Sequence, residues 1–511
     1  MDEVSARLPL ALAVLVLAAP LAGCIGTTRD DTVQAQNATD NVTEPEPTVG
    51  NPAEVYVAGT NASSALGNAT GELPVGIGLP VPGPLFEPTI GVTSEGTLFV
   101  SNTGRGELTE EDPPPDTEYS SILRSTDDGE TWEDVTGSVG PVSVPPETGD
   151  PYVYVDEETD RVYNLDMIGL NCNWVRFSDD AGDSWVNNPA GCGQPPVLDH
   201  PTIFAGDPTT LETTAYENVV YLCVNRVADS ACATSLDGGV TWSPFRTVYP
   251  GAEADGSFCG GLHAHGTTGP EGTAYLPKGQ CGTPTLAISQ DNGLTWETVE
   301  ITTEVPSVGH EVAIATDDQA NVFAHWIGED LHAYLAYSED QGRTWSEPVD
   351  VTPPDVELTS HPTIAAGANG SVALAYVGTE TAASGYGEVS ANATWNGYIT
   401  TVLDARTAEP TVTTVTANDP DNPLARGECG GTRCRAANDA GIGDFIDVTI
   451  DDDGRPWAAF VDVCLETCEQ TGESVREEGI GFVGTLTEGS ALVGDGALEP
   501  LDAEPPNATE S

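Results

Sequence analysis

Apolar residues along this chain fall into short runs that are separated by turns rich in Gly, Asp and Asn. One arrangement recurs: two apolar runs joined by a turn, as from Pro88 to Val100, with the same Pro-Thr-Ile opening at Pro201 and Pro362. Related stretches begin near Asp150, His263, His310 and Asp444. Short apolar runs bounded by turn residues are typical of β-strands, so the pattern predicts seven repeated β-hairpins.

Five of the seven units continue into a turn with the pattern Ser-x-Asp-x-Gly-x-Thr/Ser-Trp. Its aspartates and tryptophans are Asp127 and Trp132, Asp180 and Trp185, Asp237 and Trp242, Asp291 and Trp296, and Asp340 and Trp345. The tryptophans recur at intervals of 53, 57, 54 and 49 residues, which indicates one structural unit per repeat. We expect the carboxylate to cap backbone N–H groups, the Gly to adopt a positive φ, and the Trp to anchor neighbouring sheets.

This turn resembles the Asp-box, or BNR repeat, of sialidases and related proteins. The resemblance implies an all-β β-propeller built from four-stranded antiparallel sheets, over residues 53–498. The seven strand starts favour seven blades, and the six blades of sialidases are the alternative. The last two units lack the turn, but segments 397–403 and 479–486 offer them third strands.

The charge balance of the chain is strongly acidic: 81 Asp and Glu against 16 Lys and Arg, a formal net charge of −65. Lys278 is the only lysine. The acids run through a chain that is 39% hydrophobic and has nine tryptophans, so it is able to form a core. Because molar salt screens such repulsion, the composition favours a halophilic organism, here a haloarchaeon. The lack of a basic patch argues against nucleic acid as a partner.

The two ends of the chain read as export and linker segments. Residues 1–23 contain one apolar run that ends in Leu-Ala-Gly before Cys24, as in a lipoprotein signal peptide, so Cys24 is the expected lipidation site. Residues 24–52 read as a disordered glycosylated stalk and residues 499–511 as a disordered tail. These features predict a location at the cell surface, with a lipid anchor in the outer face of the cytoplasmic membrane.

The ten cysteines that follow Cys24 fall into near neighbours. The pairs are Cys172 and Cys192, Cys223 and Cys232, Cys259 and Cys281, Cys429 and Cys434, and Cys464 and Cys468. An even number in an exported chain favours five disulfides.

The residues at the starts of the repeated strands are the main candidates for a site, because the inner strands of a propeller begin around its channel. They are Glu87, Asp150, His200, His263 or His265, His310 with Glu311, His361 and Asp444. Three interpretations stay open: caps that hydrogen-bond to the backbone, a polar-ligand site, or a site for a divalent metal. No cofactor is certain.

The sialidase resemblance also implies three arginines that clamp the sugar carboxylate, the first at the start of the first inner strand. Here Glu87 stands in that place and would repel a carboxylate. Arg426, Arg433 and Arg435 form a later concentration that could bind an anion. We therefore expect a recognition module for a glycan or a surface protein. The alternatives are a sialidase-like glycoside hydrolase and a metal-dependent enzyme at the channel mouth, and whether the protein is an enzyme stays open.

Overall fold

The computed structural model describes residues 56–57, 63–64, 75–101, 122–136, 150–168, 170, 172–190, 198–226, 229–251, 259, 262–407, 410–427, 442–464, 475–494 and 496–501. The chain divides into two units, Met1–Thr48 and Val49–Ser511, and the first lies wholly outside the described residues. The predicted signal peptide, Cys24 and the whole predicted stalk lie outside the described residues too. The described part is all-β, apart from a 3-10 turn at Tyr386–Glu388.

The strands form seven sheets. Three N-terminal strands come first: β1 (Tyr56–Val57), β2 (Ser63–Ser64) and β3 (Val75–Pro84). Blade 1 has β4 (Ile90–Val92), β5 (Leu98–Ser101), β6 (Ile122–Ser125) and β7 (Glu133–Asp134). Blade 2 has β8 (Tyr152–Asp156), β9 (Arg161–Ile168), β10 (Cys172–Ser178) and β11 (Val186–Ala190). Blade 3 has β12 (Asp199–Gly206), β13 (Val219–Arg226), β14 (Asp229–Ser235) and β15 (Arg246–Pro250).

The remaining blades follow the same order. Blade 4 has β16 (Thr267–Thr268), β17 (Ala274–Gln280), β18 (Thr283–Ser289) and β19 (Glu297–Glu300). Blade 5 has β20 (Ser307–Thr316), β21 (Val322–Gly328), β22 (Ala333–Ser338) and β23 (Val349–Asp350). Blade 6 has β24 (Leu358–Ala366), β25 (Val372–Thr379), β26 (Thr394–Leu403) and β27 (Thr411–Thr416), with β2 outside β27 and β28 (Ala425–Arg426) on β26. Blade 7 has β29 (Asp447–Ile450), β30 (Pro456–Cys464) and β31 (Val475–Glu488), followed by β3 and β1.

The seven sheets close into a ring. The first strands of neighbouring blades lie side by side in the order β4, β8, β12, β16, β20, β24 and β29, and β29 returns to β4. These seven inner strands surround the channel. The predicted seven-bladed β-propeller of antiparallel sheets is therefore confirmed.

The ring is closed by an N-terminal strand that completes the last blade, a feature that the sequence analysis did not predict. Antiparallel β3 pairs with β31, so the fourth strand of the last blade comes from the N-terminal side. Gly78 faces Gly484 in this ladder, and a Cβ on Gly78 would lie 1.8 Å from the Phe482 ring. The close approach of the two strands therefore requires glycine at this position.

The hydrophobic core lies between successive blades. One cluster, for example, joins Phe99 and Ile122 of blade 1 to Val153 and Val162 of blade 2, and Trp185 packs against it. The tryptophans of the other four turns pack against four further clusters in the same way. The predicted anchoring role of these tryptophans is confirmed.

The five Ser-x-Asp-x-Gly turns have the predicted hydrogen bonds. In the second turn, Asp180 accepts from the N–H and the hydroxyl of Ser184 at 2.8 and 2.5 Å, and the Gly182 N–H donates to Ser178 Oγ at 2.8 Å. The hydrogen bonds from Ser184 hold the pKa of Asp180 below its usual value of 3.8. Gly182 has φ +90°, and the matching glycines of the other turns are also in the left-handed region. These turns are structural, since their carboxylates are occupied within the turn itself.

Two of the five predicted disulfides lie wholly within the described residues, Cys223–Cys232 and Cys259–Cys281. Cys172 and Cys464 are disulfide-bonded as well. Their expected partners, Cys192 and Cys468, and the Cys429 and Cys434 pair lie outside the described residues. In the part of the chain that the structure describes, no helix is long and apolar enough to span a membrane.

Candidate functional site

The residues singled out at the strand starts link neighbouring blades to one another. His361 of blade 6 donates a hydrogen bond from Nε2 to the Gly443 carbonyl, just before blade 7, at 3.0 Å. The next residue, Asp444, donates its backbone N–H to Oε1 of Glu87, just before blade 1, at 2.8 Å. Blades 6, 7 and 1 are thereby joined around one end of the channel, which we call the mouth.

Acidic side chains continue the chain of contacts into blades 2 and 3. The Glu87 carboxyl hydrogen-bonds to Asp150, and Asp150 in turn accepts the His200 backbone N–H at 2.8 Å. Burial, then the charge and hydrogen bond of Asp150 and the charge of Asp444, raise the pKa of Glu87 well above its usual 4.5. Burial and the charge of Asp150 also raise the pKa of Asp199. Both shifts favour the protonated form of these two carboxyl groups relative to isolated ones.

Three of these residues have strained backbones. Glu87, His200 and His361 have φ values of 53°, 49° and 58°, and each precedes a proline. A left-handed conformation is costly in a residue with a side chain, by about 1 kcal/mol or more. The sequence pattern placed all three ahead of their strands, but β12 and β24 begin earlier and the ladder is interrupted at His200 and at His361. The positive φ and the missing proline N–H account for these bulges.

His361 is held as a neutral imidazole. Its side chain is buried, its Nε2 carries the proton donated to Gly443, and its Nδ1 has no hydrogen-bond partner among the described residues. Burial lowers the pKa of His361 to about 4, against the smaller opposing effect of the Gly443 carbonyl. Protonation would place a charge on a buried ring whose Nδ1 has no acceptor among the described residues.

A second layer of polar groups lies deeper in the channel, centred on Asp447 of blade 7. Its Oδ2 accepts the Ile90 N–H of blade 1 at 3.1 Å. Its Oδ1 lies 3.5 Å from His265 Nδ1 of blade 4 and 3.4 Å from the Thr363 hydroxyl of blade 6. One carboxylate thus contacts three other blades.

Aromatic rings enclose the His265 imidazole. The Tyr152 ring meets it edge-on with centroids 5.0 Å apart, and the Phe445 ring does so at 4.8 Å. The Tyr152 hydroxyl accepts a hydrogen bond from Thr202 at 2.9 Å, and the Thr202 hydroxyl accepts the Gly266 N–H at 3.2 Å. Blades 2, 3 and 4 are joined by this contact chain, which fixes the ring of His265.

A small cavity of about 40 Å³ opens beside these groups. Its polar side chains are those of His200, His265, Thr363 and Asp447, and Phe445 forms one aromatic wall. The described residues that line it include no lysine or arginine. The space suffices for one or a few water molecules or for one small polar group of a ligand. We call it the axial cavity.

The other sequence candidates have different positions. His263 is buried, donates its N–H to Asn225 at 3.3 Å, and does not line the axial cavity. His310 lies on β20, and its side chain and that of Glu311 are outside the described residues. Arg426 is half-buried on β28, whereas Arg433 and Arg435 lie outside the described residues. An anion site at these arginines stays a prediction.

Within the described ranges, no group of three or more His, Cys, Asp or Glu side chains is placed to hold a metal ion. The capping interpretation accounts for the observed hydrogen bonds of His361, Glu87 and Asp150, which go to backbone groups or to one another.

Sequence reasoning missed Asp447 and Phe445. A signal for Asp447 exists in the repeat: it lies three residues after Asp444, where the clean copies have Ile90, Ile203 and Ile364. An acid in an otherwise apolar column of a repeat has to find a partner when buried, and this one meets His265 across the channel.

No protein-family model matches the chain, and no curated protein matches it. Among solved structures, a protein of unknown function from Dyadobacter fermentans is 13% identical, with 86% of this chain and 99% of that chain covered and a TM-score of 0.39. The intramolecular trans-sialidase from Ruminococcus gnavus is 13% identical over 77% of this chain and 93% of its own, with a TM-score of 0.37. The Aleuria aurantia lectin is 10% identical over 65% and 96%, with a TM-score of 0.38. Likeness at this level leaves function to be argued from the residues of this chain.

Proposed function

We propose that this protein is a surface recognition module that binds a neutral or amino-bearing glycan at the mouth of its channel. The observation that carries the proposal is the axial cavity, whose polar wall consists of Asp447, His265, His200 and Thr363. No lysine or arginine is among the described residues that line it. A carboxylate accepts hydrogen bonds from sugar hydroxyl and ammonium groups. The cavity accommodates one such group, while the rest of the sugar would lie outside it at the mouth.

The charge of the mouth supports selection against acidic sugars. Four acids, Glu87, Asp150, Asp199 and Asp444, lie near one another at the mouth, and Glu87 occupies the position where the sialidase resemblance implies an arginine. A sugar carboxylate would meet repulsion here, whereas an ammonium group would be attracted. The ligand class is therefore glucosamine-like or neutral rather than sialic.

Calorimetry in molar KCl tests the proposal with three ligands: a glucosamine oligomer, an N-acetylglucosamine oligomer and sialyllactose. We expect the first to bind, the third not to bind, and Asp447→Asn to weaken the first ten- to hundredfold, about 1.5–3 kcal/mol for a hydrogen bond to a charged group. Asp318→Asn, an exposed acid on the turn after β20, is the matched control. Preferential binding of sialyllactose would contradict the proposal.

A glycoside hydrolase is the second candidate, because a carboxyl whose pKa is raised, as that of Glu87 is, has the property of a general acid. Against it, Glu87 is buried and its Oε1 already accepts the Asp444 N–H. Release of reducing ends from neutral oligosaccharides, lost in Glu87→Gln, would support the hydrolase. Retained release in that variant would exclude Glu87 as the acid.

A divalent metal at the mouth is a further proposal, supported by the imidazoles of His200 and His265, whose ring centroids lie 6.3 Å apart. Elemental analysis after dialysis would compare the natural protein with a His200→Ala/His361→Ala variant. Equal metal content in the two proteins would remove the idea.

We also propose the setting of the module: a lipid on Cys24, a glycosylated stalk over 24–52, and display outside the cell. The lipobox and the sequons support it. Mass spectrometry of the mature N-terminus tests the anchor, since a lipidated Cys24 should be the first residue and Cys24→Ser should release the protein into the medium.

A further inference from the structure

A second cavity lies away from the channel, between the outer parts of blades 1 and 2. It has a volume of about 410 Å³, within the range of small-ligand sites. Strands β6 and β7 form one wall, and the Asp-box turn of blade 2 with the start of β11 forms the other. We call it the inter-blade groove.

One residue of the groove differs in kind from its counterparts in the other blades. Arg124 precedes the serine of the first Asp-box turn, a position that holds Phe177, Thr234, Ile288 and Tyr337 in the other four. Phe177 and Ile288 fill the corresponding space with apolar side chains of the inter-blade cores. Arg124 instead extends to the next blade, where it donates to the Ala181 carbonyl at 2.6 Å.

The charge of Arg124 is already neutralised. Its guanidinium donates to Asp183 at 2.8 Å and to Glu133 at 2.9 Å, each through one carboxylate oxygen. Asp134 also lines the groove. The three carboxylates and the one guanidinium of the groove therefore carry a net charge of minus two when ionised. An anionic ligand is disfavoured, while the carboxylates can accept hydrogen bonds from hydroxyl groups.

One aromatic side chain lies at the groove in a fixed orientation. Trp185 is half-buried, and its indole N–H donates to the Val135 carbonyl at 2.6 Å. The negative face of an indole attracts the partially positive C–H groups of a sugar ring. Ser184, Thr136 and Asn187 add hydroxyl and amide groups around it.

We propose that the inter-blade groove is a second carbohydrate site, which takes one or two neutral sugar units stacked on Trp185. It is separate from the channel mouth and does not depend on the function proposed there. It also gives one Asp-box turn a ligand contact in addition to its structural role.

The test uses the whole protein labelled with 5-fluorotryptophan, in molar KCl, with ¹⁹F NMR. Glucose, galactose, mannose and N-acetylglucosamine are the probes, and glucuronate is the acidic comparison. Trp185→Phe assigns the Trp185 resonance, and Trp345, at the same position in the turn of blade 5, is the internal control. We expect at least one neutral sugar to shift the Trp185 resonance saturably while the Trp345 resonance and the glucuronate titration stay unchanged.

Two variants complete the test. Trp185→Ala should weaken sugar binding at the groove about tenfold, which corresponds to about 1.4 kcal/mol, and Trp345→Ala should not. Asp447→Asn should leave the Trp185 shift intact, so loss of binding at the mouth and loss at the groove are distinguishable. Absence of any Trp185 shift with all four neutral sugars, or an equal shift with glucuronate, would overturn the proposal.

Discussion

The buried imidazole of His361 should make the stability of the protein fall in acid. Its pKa is about 4 in the folded protein and about 6.5 in an unfolded chain, so the folded state binds fewer protons between these values. The stabilising contribution is therefore present above pH 6.5 and is lost as pH falls toward 4. Linkage gives a loss of about 2 kcal/mol at pH 5 and about 3 kcal/mol at pH 4.

His361→Gln isolates this effect, because the amide of Gln can still donate to the Gly443 carbonyl but does not titrate in this range. The free energy of unfolding by urea would be measured from pH 4 to pH 8 in constant molar KCl. Between pH 7 and pH 5, the free energy of unfolding of the natural protein should fall by about 2 kcal/mol more than that of the variant. His332→Gln, a half-exposed histidine paired with Asp350 on blade 5, is the control.

A difference that is flat with pH would refute the reasoning, since His361 would then titrate alike in the folded and unfolded states. A difference of opposite slope would mean that the folded state favours the imidazolium, as it would if an acid rather than Gly443 faced the ring.

Three further variants follow from the structure. Glu87→Gln should become more stable relative to the natural protein as pH rises above about 4.5, by at most about 1.4 kcal/mol per pH unit. The reason is that the raised pKa of Glu87 makes the natural protein take up a proton when it folds. Urea midpoints that change in parallel with pH in the two proteins would contradict this. Lys278→Met should raise the melting temperature at pH 7 without changing the fold. Burial lowers the pKa of Lys278 to about 8, which means that the folded protein disfavours the charged ammonium group. An unchanged or lower melting temperature would show that Asp229 compensates for this burial. Gly78→Leu should prevent ring closure through its clash with Phe482. Proteolysis should be faster than in Gly385→Leu, where the backbone is extended and a Cβ meets nothing within 4 Å.

The blade count and the architecture were predictable because they rest on local chemistry. The turn that contains Asp180 repeats with the same donors and acceptors in five units. The spacing between its tryptophan, Trp185, and the tryptophan of the next turn, Trp242, gives the length of the repeat. Ring closure by β3 was not predictable in this way. Its sequence, Val75–Pro84, alternates glycine and proline with apolar residues and lacks the usual strand pattern, so only the partner strand β31 defines it.

The sequence predicted only some members of the candidate site, since it missed Asp447 and Phe445, and it did not predict their roles. The strand-start pattern identified Glu87, His200 and His361, yet their positive φ values and blade-to-blade hydrogen bonds depend on the ring as a whole. The contact between His265 and Asp447 joins blades 4 and 7, and nothing local in either segment specifies it.

The account depends most on the claim that a ligand reaches the axial cavity. A crystal structure of the protein with a glucosamine disaccharide tests it most directly. We predict sugar density at the mouth, with an amino or hydroxyl group within hydrogen-bond distance of Asp447 and near the Phe445 ring. Density confined to the outer surface of the blades, with only water beside Asp447, would contradict the claim.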